Sequence, residues 1–571
     1  MKADSPRMLL LGAFGAVGLL GVVGCQPAVE EDFVPVELVA SEQVFCEDPK
    51  RRAEDGPMWR AELGGDWSVQ EAWEPSEAQD PRAIAVADFD GDARYDVLLP
   101  TGLFLATGGD GPGLRRADES FSFPVEDLPD SEGSGISGLT GADFDGDGDM
   151  DILASGEGLH LYRNDGGHFV EATGEVGLVL EEESGCCFGT AWGDHDSDGD
   201  LDLVAFTFGD EESQDYEAIV GGEVEAGLPS LLLDNMGDGR FEDRTERLPD
   251  SASSGLTCAG GWHDLDLDNR PDLYLVNDFG PQVQGNRLMR NESSLRFVDV
   301  TQELGVGEPI YGMGLGVGDV NGDGIPDLLA SSWEEIMLLE SASEGGWYRS
   351  DLARGLELGE GQHTGWGVEL VDMDNDGDLD APMAFGQLPF ETVEDNDFLD
   401  TEFGLTNSSR QPDALFLQGE DGVFEDMAPE WGVDDDRDGM SFVPVDLNGD
   451  GWLDLVKMDR IWLSRCGAES WLRVRLHGSS LNHAAVGARL ELSVGSSRQV
   501  RWIVAGSTGH GSSGPPEAHF GLGDLEGPAR LVVHWPDGAV SSTDDVPINS
   551  LVQLVRENAT APAPPLPTPS F

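Results

Sequence analysis

A nine-residue Asp-rich pattern occurs seven times in this chain, and any fold proposed for it must place all seven copies in equivalent positions. The copies begin at Asp88, Asp143, Asp194, Asp264, Asp319, Asp372 and Asp446, at intervals of 55, 51, 70, 55, 53 and 74 residues. A repeat of this length means one supersecondary unit per copy, with neighbouring units stacked to bury a shared core. Strand-like runs precede the loops, as at residues 83–87 and 441–445, and short apolar runs follow them, as at 96–99, 151–154, 202–205, 272–275, 327–330 and 454–456. Short apolar runs bounded by Gly and Asp read as buried strands. A second element, at 231–241 and 287–297, reads as strand, polar turn and strand. Four strands per repeat is the content of one propeller blade. The expected fold class is therefore all-β: a seven-bladed β-propeller over residues 55–466, followed by a small β-sandwich-like domain. Two acidic insertions, near 209–227 and 391–410, account for the long intervals. Insertions of this kind belong on the surface.

The loops carry oxygen at alternate positions. Position 3 is Asp90, Asp145, Asp196, Asp266, Asn321, Asp374 and Asn448, and position 5 is Asp92, Asp147, Asp198, Asp268, Asp323, Asp376 and Asp450. Position 9 is Asp96, Asp151, Asp202, Asp272, Asp327, Asp380 and Asp454. Position 7 offers its main-chain carbonyl, and its residue is itself acidic in three loops, as Asp149, Asp200 and Asp378. A hard Ca²⁺ ion takes six to eight oxygens at about 2.3–2.6 Å, which alternate residues of a tight loop can supply. Position 6 needs a left-handed backbone. It is Gly in five loops, Asn269 in the fourth and Ala93 in the first, which makes the first the weakest site. An EF-hand is excluded because position 12 is Leu99, Ala154, Ala205, Leu275, Ala330, Met383 or Lys457, none of them a carboxylate. Solvated acidic turns are a poor alternative. Seven copies keep one register, and three or four carboxylates in nine residues repel one another without a cation. The expected cofactor is calcium, up to seven ions.

The net charge of -79, from 111 acidic and 32 basic residues, excludes nucleic acid as a partner. Lys2 and Arg7 precede an apolar stretch, 8–24, that is short for a membrane span. It ends in Val22, Val23, Gly24 and Cys25, which resembles a bacterial lipobox. The expectation is a lipoprotein signal over 1–24, lipidation at Cys25 and an acidic tether over 25–54. The mature chain would be exported and anchored in a bacterial cell envelope, at the outer membrane or cell surface, touching the membrane through lipid alone. An exported chain can form disulfides. A Cys46–Cys466 bond would tie together the ends of the repeat region, and Cys258 could pair with Cys186 or Cys187. The alternative is a set of reduced, buried thiols. From 467 to 557 the runs 471–476, 488–494, 499–504 and 530–535 alternate with period two, as half-buried strands do. The Pro/Ala/Thr-rich tail 558–571 reads as disordered.

D-x-D-x-D-G-x-x-D between strands resembles the FG-GAP/VCBS repeat of integrin-α-type propellers. Residues 312–319, 364–367 and 272–280 are similar to the narrower cartilage acidic protein group. Gly487-Ala-Arg, His519-Phe-Gly-Leu-Gly-Asp524 and Trp535-Pro-Asp-Gly538 resemble the ASPIC/UnbV domain that follows such propellers. The likeness covers about residues 80–555. It departs at Ala93 and Asn269, and at 506–516, where a Ser-Gln step of that domain is missing. The resemblance implies the fold and calcium, and no defined ligand.

Catalytic motifs are not found: the chain has no H-E-x-x-H, G-x-S-x-G, P-loop or C-x-x-C. His195 and His263 beside the loops read as hydrogen-bonded spacers, Trp366 as propeller core, and 506–516, with His510 and Ser512, as a flexible surface loop. The expected function is a calcium-binding cell-surface binding or adhesion module, not an enzyme, with an unidentified protein or glycan ligand. The rival reading is a glycan-active or other extracytoplasmic enzyme using carboxylates on the propeller face.

Overall fold

The computed structural model describes the chain from 33 to 557 except within 47–56, 62–82, 101, 108–113, 118–135, 157, 179–186, 210–225, 294–295, 344, 360–362, 387–410, 437–438, 458–459, 479 and 507–510, together with three residues of the tail. The signal and lipidation expectations, the insertion at 391–410, most of the insertion at 209–227, Cys186 and His510 fall outside the described residues. The side chain of Cys187 does too, while Cys258 is buried. Among the described residues no helix is long and apolar enough to cross a membrane.

The fold is all-β. Each repeat forms an antiparallel sheet whose first strand leads into the Asp loop and whose second strand leaves it. The seven first strands are Ile84–Ala87, Gly138–Ala142, Cys187–Gly193, Leu256–His263, Gly312–Gly318, Gly365–Val368 and Phe442–Val445. The first to the sixth of these strands pack side by side in turn, the Gly367 amide of the sixth donates to Met440 O just ahead of the seventh at 2.9 Å, and the seventh lies beside the first. Three strands of the seventh sheet come from its own repeat. The fourth is Met58–Ala61, which pairs antiparallel with Arg460–Ser464. The N-terminal side of the chain therefore closes the last sheet, and a Cys46–Cys466 disulfide fastens the same junction. This is the sheet order of a propeller. Apolar side chains from adjacent sheets interlock between them, as with Ile152 and Tyr162 against Phe89 and Leu98, all nearly fully buried.

Residues after 467 build two four-stranded sheets around a core that includes Leu472, Val474, Leu490, Phe520, Leu531 and Trp535. One sheet recruits Val36–Ala40, paired antiparallel with Ser550–Arg556. Part of the segment expected as a tether, 25–54, is thus a strand of the C-terminal domain. Val36 and Leu38 alternate with Glu37 and Val39 and pack on its core, which is why they order.

The second correction concerns 506–516. Its described part is not a surface loop. Ala505–Gly506 pairs antiparallel with Ala191 and Trp192, and Ser512–Ser513 pairs parallel with Ile84 and Ala85. The Leu139 amide donates to Gly511 O at 3.0 Å, and the Ser512 hydroxyl donates to Phe442 O at 3.2 Å. First strands of four sheets are engaged, and Ser512 and Ser513 are buried. The physical cause is the inner edge of each sheet, which presents main-chain groups that need partners once covered. The segment supplies them and plugs the centre of the ring.

Candidate metal centres and the face that covers them

All seven loops share one hydrogen-bond network. Position 1 accepts the amide of position 6: Gly148 donates to Asp143 at 3.1 Å, Gly377 to Asp372 at 2.9 Å and Gly451 to Asp446 at 2.7 Å. Position 5 accepts the amide of position 7, as from Ile325 to Asp323 at 2.9 Å. The turn needs left-handed backbone at position 6, where Ala93 has φ 72° and Asn269 φ 63°. Position 4 has the same hand, at Gly91, Gly146, Ser197, Leu267, Gly322, Asn375 and Gly449, a requirement the sequence reading did not include.

Position 9 is the most buried acid of each loop. One oxygen accepts the amide of position 2, and the other accepts an amide of the third strand. For Asp272 the donors are Leu265 at 3.3 Å and Asn291 at 2.8 Å. For Asp327 they are Val320 at 2.8 Å and Ser341 at 2.6 Å. A second tie runs between sheets. The Asn291 side chain donates to His195 O in the preceding loop at 2.7 Å; Asn164 does the same to Phe89 O at 3.0 Å and Asn235 to Phe144 O at 2.9 Å. The sequence carried a signal for these ties, since Asn235 and Asn291 both occupy the fifth position of the third strand in the repeated second element.

In each of the first four loops the structure brings three of the expected ligands together. Carboxylate oxygens of Asp88, Asp90 and Asp96 lie within 4.8 Å of one another, as do those of Asp143, Asp145 and Asp151, of Asp194, Asp196 and Asp202, and of Asp264, Asp266 and Asp268. The position-7 acids are less uniform: Asp149 turns away to accept the Gly166 amide at 2.8 Å. Burial pushes Asp96 and Asp272 up to about 8, Asp327 to about 7, and Asp151, Asp202, Asp380 and Asp454 well above the carboxylate range. Asp145 Oδ1, Asp196 Oδ1 and Asp372 Oδ1 are buried without a hydrogen-bond partner. Convergent, desolvated and orphaned carboxylate oxygens fit a hard divalent cation, and calcium suits an all-oxygen set of this kind. Loops one and four differ. Arg94 pairs with Asp92, and Arg270 with Asp268, so a guanidinium already sits on the position-5 acid. These are also the two loops without Gly at position 6.

The histidines act as spacers. His195 bonds Asp234 Oδ1 at 2.7 Å and stacks on Trp262. His263 is buried and held neutral, its pKa pushed down to about 4 by desolvation. Trp366 is core, as expected.

The C-terminal domain lies on the loop face. Arg473 donates to Asp446 Oδ2 at 2.6 Å and pairs with Glu517, which also takes Arg475 at 2.8 Å and the Tyr95 hydroxyl. His483 meets Asp143 at 3.3 Å, and the Asn482 amide donates to Gly199 O at 2.9 Å. The Gly523 amide donates to Asn375 O at 2.7 Å, and His519 Nε2 donates to Gly451 O at 3.1 Å. Sequence reasoning missed this interface, because nothing in the motif His519–Asp524 says that it faces the loops. Beside the plug lies a cavity of about 150 Å³ lined by His263, Glu369, Arg501, Trp502, Glu517 and His519, polar and large enough to hold water.

Comparison with known proteins agrees with this architecture. The FG-GAP-like repeat model matches residues 143–205 and 264–330, and the ASPIC and UnbV model matches 478–561. Cartilage acidic protein 1 of Mus musculus is 23% identical over 517 residues, covering 83% of this chain and 73% of that protein. The Homo sapiens protein is 25% identical over 299 residues, covering 50% of this chain, which spans only 42% of that relative's length. Among solved structures, an Agrocybe aegerita lectin described for recognition of non-reducing terminal N-acetylglucosamine is similar with TM-score 0.38 and 15% identity, over 62% of this chain and 83% of that one. The V. cholerae biofilm matrix protein Bap1 is similar with TM-score 0.27 and 11% identity, over 83% of this chain and 61% of that one. Neither likeness is close enough to assign a ligand. The chain is thus similar to cartilage acidic protein 1 over most of its length, with matches to FG-GAP-like repeats followed by a match to the ASPIC and UnbV domain.

Proposed function

We propose that this protein is an extracellular, calcium-stabilised binding module of the adhesion type, held to a bacterial envelope by lipid at Cys25, and that it performs no catalysis. The observation that carries the calcium part is the repeated position-9 acid: buried, braced by two amides, and facing further carboxylates that need a cation. Calcium binding then contributes directly to folding stability.

The binding part follows from which surfaces are free. The loop face is covered by the C-terminal domain and the centre is plugged, so a partner has the opposite end and the rim. The opposite end bears the connections between second and third strands. It also carries the half-buried Tyr311 and Trp333 in edge contact at 5.4 Å. A pair of half-buried aromatic side chains suits a protein or glycan ligand. The test is a glycan and protein array probed with the calcium-loaded chain, together with product analysis. Retention without turnover is expected, and cleavage products would establish the enzyme reading instead.

A further inference from the structure

We infer that the Asp loops and the C-terminal domain form a calcium-set clamp: ions in the second, third, sixth and seventh loops shape the surface on which that domain docks. The inference rests on the calcium reading above. The domain does not touch the loops at random. It takes the main-chain carbonyls of Gly199, Asn375 and Gly451, which lie at positions 4 and 6, within the turn that a cation would wrap. Leu481 and Ser480 lie against Gly146 and Gly199, at positions 4 and 6 of loops two and three. Gly521 is packed so closely that any side chain there would collide with Asp372 Oδ2 and the Asn375 backbone. Arg473 meets Asp446 directly.

Two consequences follow. A loop that loosens when its carboxylates repel one another no longer presents these carbonyls in register. Reciprocally, a docked domain holds the loop in its ligating shape, because coupling between two sites acts equally in both directions. The fourth loop is the internal control: no hydrogen bond from it to the C-terminal domain is found among the described residues.

The test is hydrogen exchange of the full chain, calcium-loaded and calcium-depleted, with calcium binding measured by titration calorimetry. On depletion, peptides spanning 505–513 and 518–523 should exchange at least about tenfold faster while Leu490 and its sandwich neighbours stay protected. Unchanged protection of those peptides in protein shown to have lost its calcium overturns the inference. Should protection fall uniformly because the whole chain opens, Gly521→Val decides. It should weaken calcium binding at the gripped loops by about tenfold and leave a subset of sites unaffected. A titration identical to the parent overturns the clamp. An absence of calcium binding by the parent would instead overturn the reading beneath it.

Discussion

Replacing Asp272 by Asn should change stability in opposite directions with and without calcium. Asp272 is 2% exposed, and burial pushes it from its ordinary 3.8 up to about 8. In the calcium-free fold at pH 7, keeping this group from its unfolded, ionised state costs roughly 3–5 kcal/mol. Asn removes that cost. It also places an NH₂ opposite one of the two amide donors, Leu265 or Asn291, which loses about 1–3 kcal/mol. The calcium-free variant should therefore match the parent or exceed it by a few kcal/mol. In calcium the variant lacks a charged ligand, and the binding energy that supports folding drops with it. Urea unfolding at pH 7, run on depleted and on calcium-saturated protein, reads both cases. A variant destabilised equally in both conditions would refute the argument, since it would show that Asp272 acts as an amide acceptor alone.

The remaining predictions concern pH, the ties between sheets and the atypical loops. The buried loop acids bind protons in the calcium-free fold up to about pH 7–8, while in the unfolded chain they ionise near 4. The depleted protein should accordingly melt higher at pH 5 than at pH 8, and the calcium-loaded protein should show the opposite trend. Glu517, held down to about 2 mainly by Arg473 against its desolvation, loses its contribution only below that window, so it does not mask the effect. Asn291→Leu should cost about 2–4 kcal/mol by denaturant unfolding, because it orphans the buried His195 and Pro271 carbonyls. Arg270→Gln should tighten calcium at the fourth loop by up to about fivefold in calorimetry, the modest value expected of a partly exposed ion pair.

Much of the fold was legible because each repeat has its own local signal. Carboxylates at positions 1, 3, 5 and 9 between two apolar runs define a strand, a loop and a strand, and the interval sets how many strands remain to be placed. The candidate ligands converge for the same reason: their geometry is decided within nine residues. What could not be read is long-range. Val36–Ala40 has too few residues to distinguish a strand from an extended tether until Ser550–Arg556 supplies its partner. The Gly- and Ser-rich 506–516 has the composition of a surface loop, and only the exposed inner edges of Ile84–Ala87 and Cys187–Gly193 turn it into a plug. Arg473 and Glu517 alternate with apolar residues like any solvent-facing pair, yet they are buried against Asp446. No spacing within a chain reports which domain face another will cover.

The central claim is that the repeated acids are cation sites. Depleted protein should be dialysed against millimolar calcium, assayed for bound metal, and melted before and after chelation. Up to seven ions per chain should be retained, with loops one and four the weakest, and chelation should lower the melting temperature by many degrees. Protein that retains no calcium and melts identically with and without chelator would contradict the account.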